Sequence, residues 1–120
     1  MDSLYFLSAA RSAVGLIRNG NEDGALTHPH VIAVADGMGG HAGGEIASAI
    51  ALEILARRAT VFTGAEMDRD SADDYLNSTI DEIDSALKVA SDDDPTLSGL
   101  GTTLTTLFIR DNQAVLLHVG

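Results

Sequence analysis

The chain has 120 residues, 18 acidic against 7 basic, for a formal net charge of −11, with 45% hydrophobic residues and no cysteine. That composition allows one domain with a real core. The acidity argues against nucleic-acid binding, and the lack of cysteine excludes disulfides and thiolate chemistry. No apolar run approaches the roughly 20 residues that span a bilayer, and the first residues lack a basic leader. The expectation is therefore a cytoplasmic protein with no membrane anchor.

In chain order, the apolar Leu4–Ala10 and the small-residue run Ser12–Ile17 predict one or two strands before a turn at Asn21-Glu22-Asp23. His28-Pro29-His30 breaks the chain ahead of Val31–Ala35, which is too short and too β-branched to prefer helix. From Ala42 to about Ala59, Ile46, Ile50 and Ile54 recur at helical spacing beside Ala47, Ala51 and Leu55, predicting a helix that packs on a sheet. Thr60–Asp70 reads as a surface connection. Ser71 with Asp74 resembles a capping box for a second helix, which carries Ala72, Leu76, Ile80, Ile83, Leu87 and Ala90 on one side and acids on the other. Asp92-Asp93-Asp94-Pro95 ends it. Thr102–Ile109 and Ala114–Val119, separated by Arg110–Gln113, then predict a β-hairpin. This order implies an α+β layered protein with antiparallel pairing.

The chemistry-bearing residues gather around the Val31–Ala35 run. It leads into Asp36-Gly37-Met38-Gly39-Gly40-His41-Ala42-Gly43-Gly44, a glycine-rich segment able to take positive φ angles and approach a ligand closely. Glu22 and Asp23 add carboxylates upstream, and Arg18 a guanidinium. Hard divalent cations prefer oxygen ligands, a description that Asp23, Asp36 and the Gly37 carbonyl meet. At about 4 Å in an effective dielectric near 20, two such carboxylates would repel by about 4 kcal/mol, and a divalent ion would reverse the sign.

Together these stretches resemble the metal-dependent protein serine/threonine phosphatases of type 2C, particularly their bacterial members. Arg18-Asn19-Gly20-Asn21-Glu22-Asp23 looks like the family's Arg-x-x-Asn-Glu-Asp element, and Val34–His41 looks like its central metal-binding element. Gly99–Leu104 and Leu117–Gly120 resemble later strands, the last just ahead of a Gly-Asp-Ser-Arg element. The resemblance covers residues 1–120 and corresponds to the N-terminal portion of a single catalytic domain. It implies helices covering layered antiparallel sheets, an incomplete form of the type 2C β-sandwich. It also implies hydrolysis of phosphoserine and phosphothreonine in proteins by water activated on two manganese or magnesium ions. By the same analogy Asp36 bridges the metals, Asp23 and the Gly37 carbonyl help to hold one, Glu22 supports through water, and Arg18 grips the substrate phosphate, for which its planar fork is suited. Further acidic ligands would come from the rest of the domain, so the 120 residues alone are expected to be weakly active or inactive. The implied partner is a phosphorylated protein, in opposition to a serine/threonine kinase, and an unpaired hairpin edge could drive self-association.

Rival readings are a noncatalytic phosphoprotein-binding module and a dinucleotide-binding domain, the latter because Gly37-x-Gly39-x-x-Ala42 follows a strand and precedes a helix. Against the latter, Asp36 would face an anionic pyrophosphate. His28, His30, His41 and His118 match no strong zinc spacing. Met38 stands where some relatives carry a histidine, so no general-acid role passes to His41. Met67 and Phe108 read as packing residues.

Overall fold

A computed structural model describes residues 4–11, 22–39, 42–62, 68–110 and 112–120. Four strands, β1 (Asp23–His28), β2 (Val31–Met38), β3 (Gly101–Arg110) and β4 (Gln113–Val119), form one antiparallel sheet in the order β1-β2-β3-β4. Two helices, α1 (Gly43–Phe62) and α2 (Arg69–Asp93), stand between β2 and β3 in the chain. The α+β class and the antiparallel pairing agree with the expectation, and among the described residues the sheet is uniformly antiparallel, without the parallel βαβ unit a dinucleotide site requires.

Strand periodicity decides which side of the sheet is covered. Val31, Ala33 and Ala35 of β2 and Leu104 and Phe108 of β3 point one way and are buried with Ala51, Ile54, Leu55 and Ala59 of α1 and Leu76 and Ile83 of α2. Alanines on the inner side of α1 let the helix come close. At Gly24 of β1 a Cβ would lie 2.7 Å from Leu52 Cδ1, a contact that a shift of the leucine side chain would relieve. The opposite side of the sheet carries Ile32, Val34, Leu107 and Leu116 and is largely open, with Val34 57% and Leu116 67% exposed.

Arginines fasten the layers. Arg58 donates to Thr79 Oγ1 (2.9 Å) and Ser78 Oγ (3.0 Å) and lies 4.6 Å from the Tyr75 ring centroid, tying α1 to α2. Arg57 and Arg58 both pair with Glu82. Arg110 at the end of β3 reaches Asp73 of α2 at 2.7 Å.

Several boundaries differ from the sequence-based expectation. Residues 4–11 form no strand, and Leu7 is 89% exposed, although the Phe6 N–H donates to the Pro29 carbonyl. Apolar content alone misleads there, because β-structure needs a partner strand as well as propensity. The expected strand at Ser12–Ile17 lies outside the described residues. Asp23 opens β1 instead of closing a turn, and Pro29-His30 is the loop of the β1–β2 hairpin, with the His30 N–H donating to His28 Nδ1 at 3.0 Å. The cap of α2 is Asp68, whose carboxylate accepts from the Ser71 N–H at 2.8 Å, and not Ser71 itself. That same backbone hydrogen bond holds the Asp68 carboxyl below its ordinary value of 3.8. The expected connection Thr60–Asp70 is shorter than predicted, since α1 runs to Phe62 and α2 begins at Arg69, while Met67 lies outside the described residues. Phe108 is a core residue, as expected.

Candidate active site

Asp23 and Asp36 are direct cross-strand partners at the end of the β1–β2 hairpin. The neighbouring Gly37 N–H donates to the Glu22 carbonyl at 3.0 Å. Hydrogen-bonded and non-bonded pairs alternate along an antiparallel ladder, so Asp23 and Asp36 occupy a non-hydrogen-bonded pair, the kind in which side chains stand closest. Both are exposed and project from the open face of the sheet, since β2 buries Ala35 and Gly37 on the other side. Facing carboxylates on one strand pair are mutually repulsive. A hard cation between them would turn that repulsion into attraction, and an all-oxygen donor pair suits magnesium or manganese. Among the described residues, no third His, Asp or Glu joins them in a cluster.

On β3, Thr103 faces Asp36 in register, and its Oγ1 accepts the Asp36 N–H at 3.3 Å. The sequence assigns no role to this threonine, although it lies within the Gly99–Leu104 stretch that resembles the family.

Glu22 and Gly37 sit differently. One step along the strand from Asp23, Glu22 points to the helix side, and its carboxylate lies against the first turn of α1: a Cβ at Gly44 would come within 2.8 Å of Oε1 and Oε2. The start of a helix carries unpaired N–H groups and the positive end of its dipole, which favours a carboxylate. Gly37 is buried between these same parts, where a Cβ would lie 2.8 Å from the Glu22 carbonyl and closer still to that of Gly44. Gly39 adopts a φ of 145°, and a Cβ there would meet Leu100 Cα at 2.9 Å. At these positions the glycines let backbone pack on backbone where β2 passes into α1, a structural use distinct from the ligand approach expected of them. Arg18 and His41 lie outside the described residues. His118 is paired with Thr105 across β3 and β4 (Nδ1 to Oγ1, 2.8 Å), and His28 closes the hairpin loop, so neither gathers toward the acidic pair.

Residues 22–120 match the family model described as protein phosphatase 2C. The chain is 37% identical to the serine/threonine protein phosphatase PstP of Mycobacterium tuberculosis, over 98% of its own length and 22% of that protein. It is 33% identical to the serine/threonine phosphatase stp of Listeria monocytogenes, over 92% of its length and 45% of that protein. The catalytic domain of PstP, solved in complex with two manganese ions, superposes with a TM-score of 0.80 at 37% identity, covering 93% of this chain and 46% of that one. PppA of Pseudomonas aeruginosa superposes at 0.79 with 32% identity, covering 98% and 49%. The chain thus spans about half of the solved catalytic domains it matches. With the sheet, the helices and the facing aspartates in hand, the match over most of its residues assigns the chain to the protein phosphatase 2C family.

Proposed function

We propose that this chain is the N-terminal half of a catalytic domain that hydrolyses phosphoserine and phosphothreonine in proteins with two manganese or magnesium ions. The observation that carries the reading is the pairing of Asp23 with Asp36 on the open face of the sheet, in a chain similar to a phosphatase solved with two manganese ions. Asp36 and Asp23 would hold metal with the help of the Gly37 carbonyl, and Arg18 would bind the substrate phosphate bidentately. Glu22 would support the site from the helix side. Thr103 holds the backbone at Asp36 and so orients that carboxylate. Bound divalent ions supply two things here, a lowered pKa of water and compensation of charge on phosphoryl oxygens, so no side-chain nucleophile is required.

The substrate is a phosphoprotein made by a serine/threonine kinase, and the composition supports a cytoplasmic setting. Among the described residues one acidic pair gathers at the site, in keeping with weak or absent activity of the 120 residues by themselves, and the open side and edge of the sheet favour self-association of that isolated half, measurable by sedimentation.

In the complete catalytic domain, Asp36→Ala is expected to lower manganese-dependent kcat/KM on a phosphopeptide by more than about 100-fold, beyond the loss typical of a group acting behind a metal ligand. Manganese affinity, measured by calorimetry, should fall with it while the circular dichroism spectrum is retained. Unchanged turnover refutes the assignment, and phosphopeptide binding by wild type without any turnover would favour the noncatalytic module.

A further inference from the structure

The end of the sheet where Asp36 lies has a second feature, with Met38 on the same face as Asp36. A groove of about 420 Å³ opens between the C-terminal half of α2 and the ends of β2 and β3. Its floor is apolar: Met38, two residues beyond Asp36 on β2, lies over Gly101, where a Cβ would come within 3.1 Å of Met38 Cε, and Leu100 continues the surface. Its wall is a charged stripe of Asp84, Lys88 and Asp92, all exposed. These residues recur every four positions and therefore share one side of α2 over about 12 Å.

We infer that this groove receives the polypeptide flanking the phosphorylated residue of a protein substrate, preferring a basic side chain near the phosphosite. The inference rests on the phosphatase reading above and adds to it where substrate selectivity resides. Two rows of observation support it. The first is continuity: Met38 is about 7 Å along β2 from Asp36, and Gly101 is its cross-strand partner, so an extended peptide with its phosphate at the aspartate pair reaches the groove within two or three residues. The second is charge: two carboxylates against one ammonium leave the wall net negative, in a chain whose total charge is −11. An arginine or lysine of the substrate would pair with Asp84 or Asp92, on either side of Lys88, with its methylene stem on Met38 and Leu100, as long cationic side chains do on apolar surface.

The test uses the complete catalytic domain with manganese and two phosphopeptides that differ only in having basic or acidic residues on both sides of the phosphothreonine. The small ester p-nitrophenyl phosphate, too short to reach the groove, reports whether the reaction centre is intact. Wild type is expected to favour the basic peptide by about three- to tenfold, expressed in KM more than in kcat, the scale of exposed charge pairs. Lys88→Glu should widen that ratio, and D84K/D92K should invert it. Equal KM values for the two peptides in wild type, or a ratio unmoved in D84K/D92K that still hydrolyses the small ester, overturns the groove assignment. Failure of wild type to hydrolyse any of the three compounds overturns the phosphatase reading instead. If D84K/D92K does not fold, the wild-type ratio and its response to Lys88→Glu decide the matter.

Discussion

The two faces of the sheet are built from the same strands and serve different ends. On the covered face Val31, Ala33, Ala35, Leu104 and Phe108 are sealed beneath α1 and α2. On the open face alternate residues of those strands carry Asp23 and Asp36 at one end and Ile32, Val34, Leu107 and Leu116 along the middle. A strand's two-residue period makes this division automatic: whatever fixes Ala35 and Gly37 under the helix also fixes Asp36 away from it. The lesson is that the position of the Asp36 carboxylate is set by packing on the side it does not touch. An open face with an apolar centre also suits a sheet that packs against a second one, in keeping with a chain that spans about half of the solved domains it matches.

Substitutions on the two faces should separate accordingly. The largest effect on stability is expected from Phe108→Ala, which empties the centre of the covered face and should lower the unfolding free energy by about 3–5 kcal/mol, read from urea denaturation. Gly37→Ala comes next. Its methyl would run into the Gly44 carbonyl, a backbone obstacle that no rotamer change relieves, and a loss of about 1–3 kcal/mol is expected, by the same measurement. Thr106→Val should act in the opposite direction. The Thr106 hydroxyl is fully buried without a hydrogen-bond partner among the described residues, so replacing it with a methyl of similar shape should stabilise by about 1 kcal/mol. Thr79, buried to a similar degree, is the control, because its hydroxyl donates to the Tyr75 carbonyl at 2.8 Å and accepts from Arg58. Smallest of all, Leu116→Thr on the open face should change the stability of the 120-residue chain by less than about 0.5 kcal/mol while reducing its self-association in sedimentation. A large destabilisation there would mean that the open face is already packed.

Much of this division is legible in the sequence. Val31–Ala35, the long helices and the final hairpin announce themselves by period and by turn residues, and Asp36 stands out because it ends an apolar strand and begins a glycine-rich turn. What is hidden is β1. Asp23-Gly24-Ala25-Leu26-Thr27-His28 has little intrinsic β-propensity, and its glycine lies beneath Leu52 of α1. Without β1 the register that sets Asp23 opposite Asp36 has no basis, so the sequence nominates the two carboxylates by their chemistry and by family resemblance and not by their placement. The direction of Glu22 is hidden for the same reason, since adjacent strand residues face opposite ways. Leu4–Ala10 fails in the other direction: an apolar run reads as a strand, yet its strand character depends on a partner that the sequence does not advertise.

The contact between Gly37 and Gly44 has a mechanical consequence. Two main chains touch there with no side chain between them, so the first turn of α1 bears directly on the residue beside Asp36. The start of that helix and the acidic pair thus share a boundary one peptide unit wide.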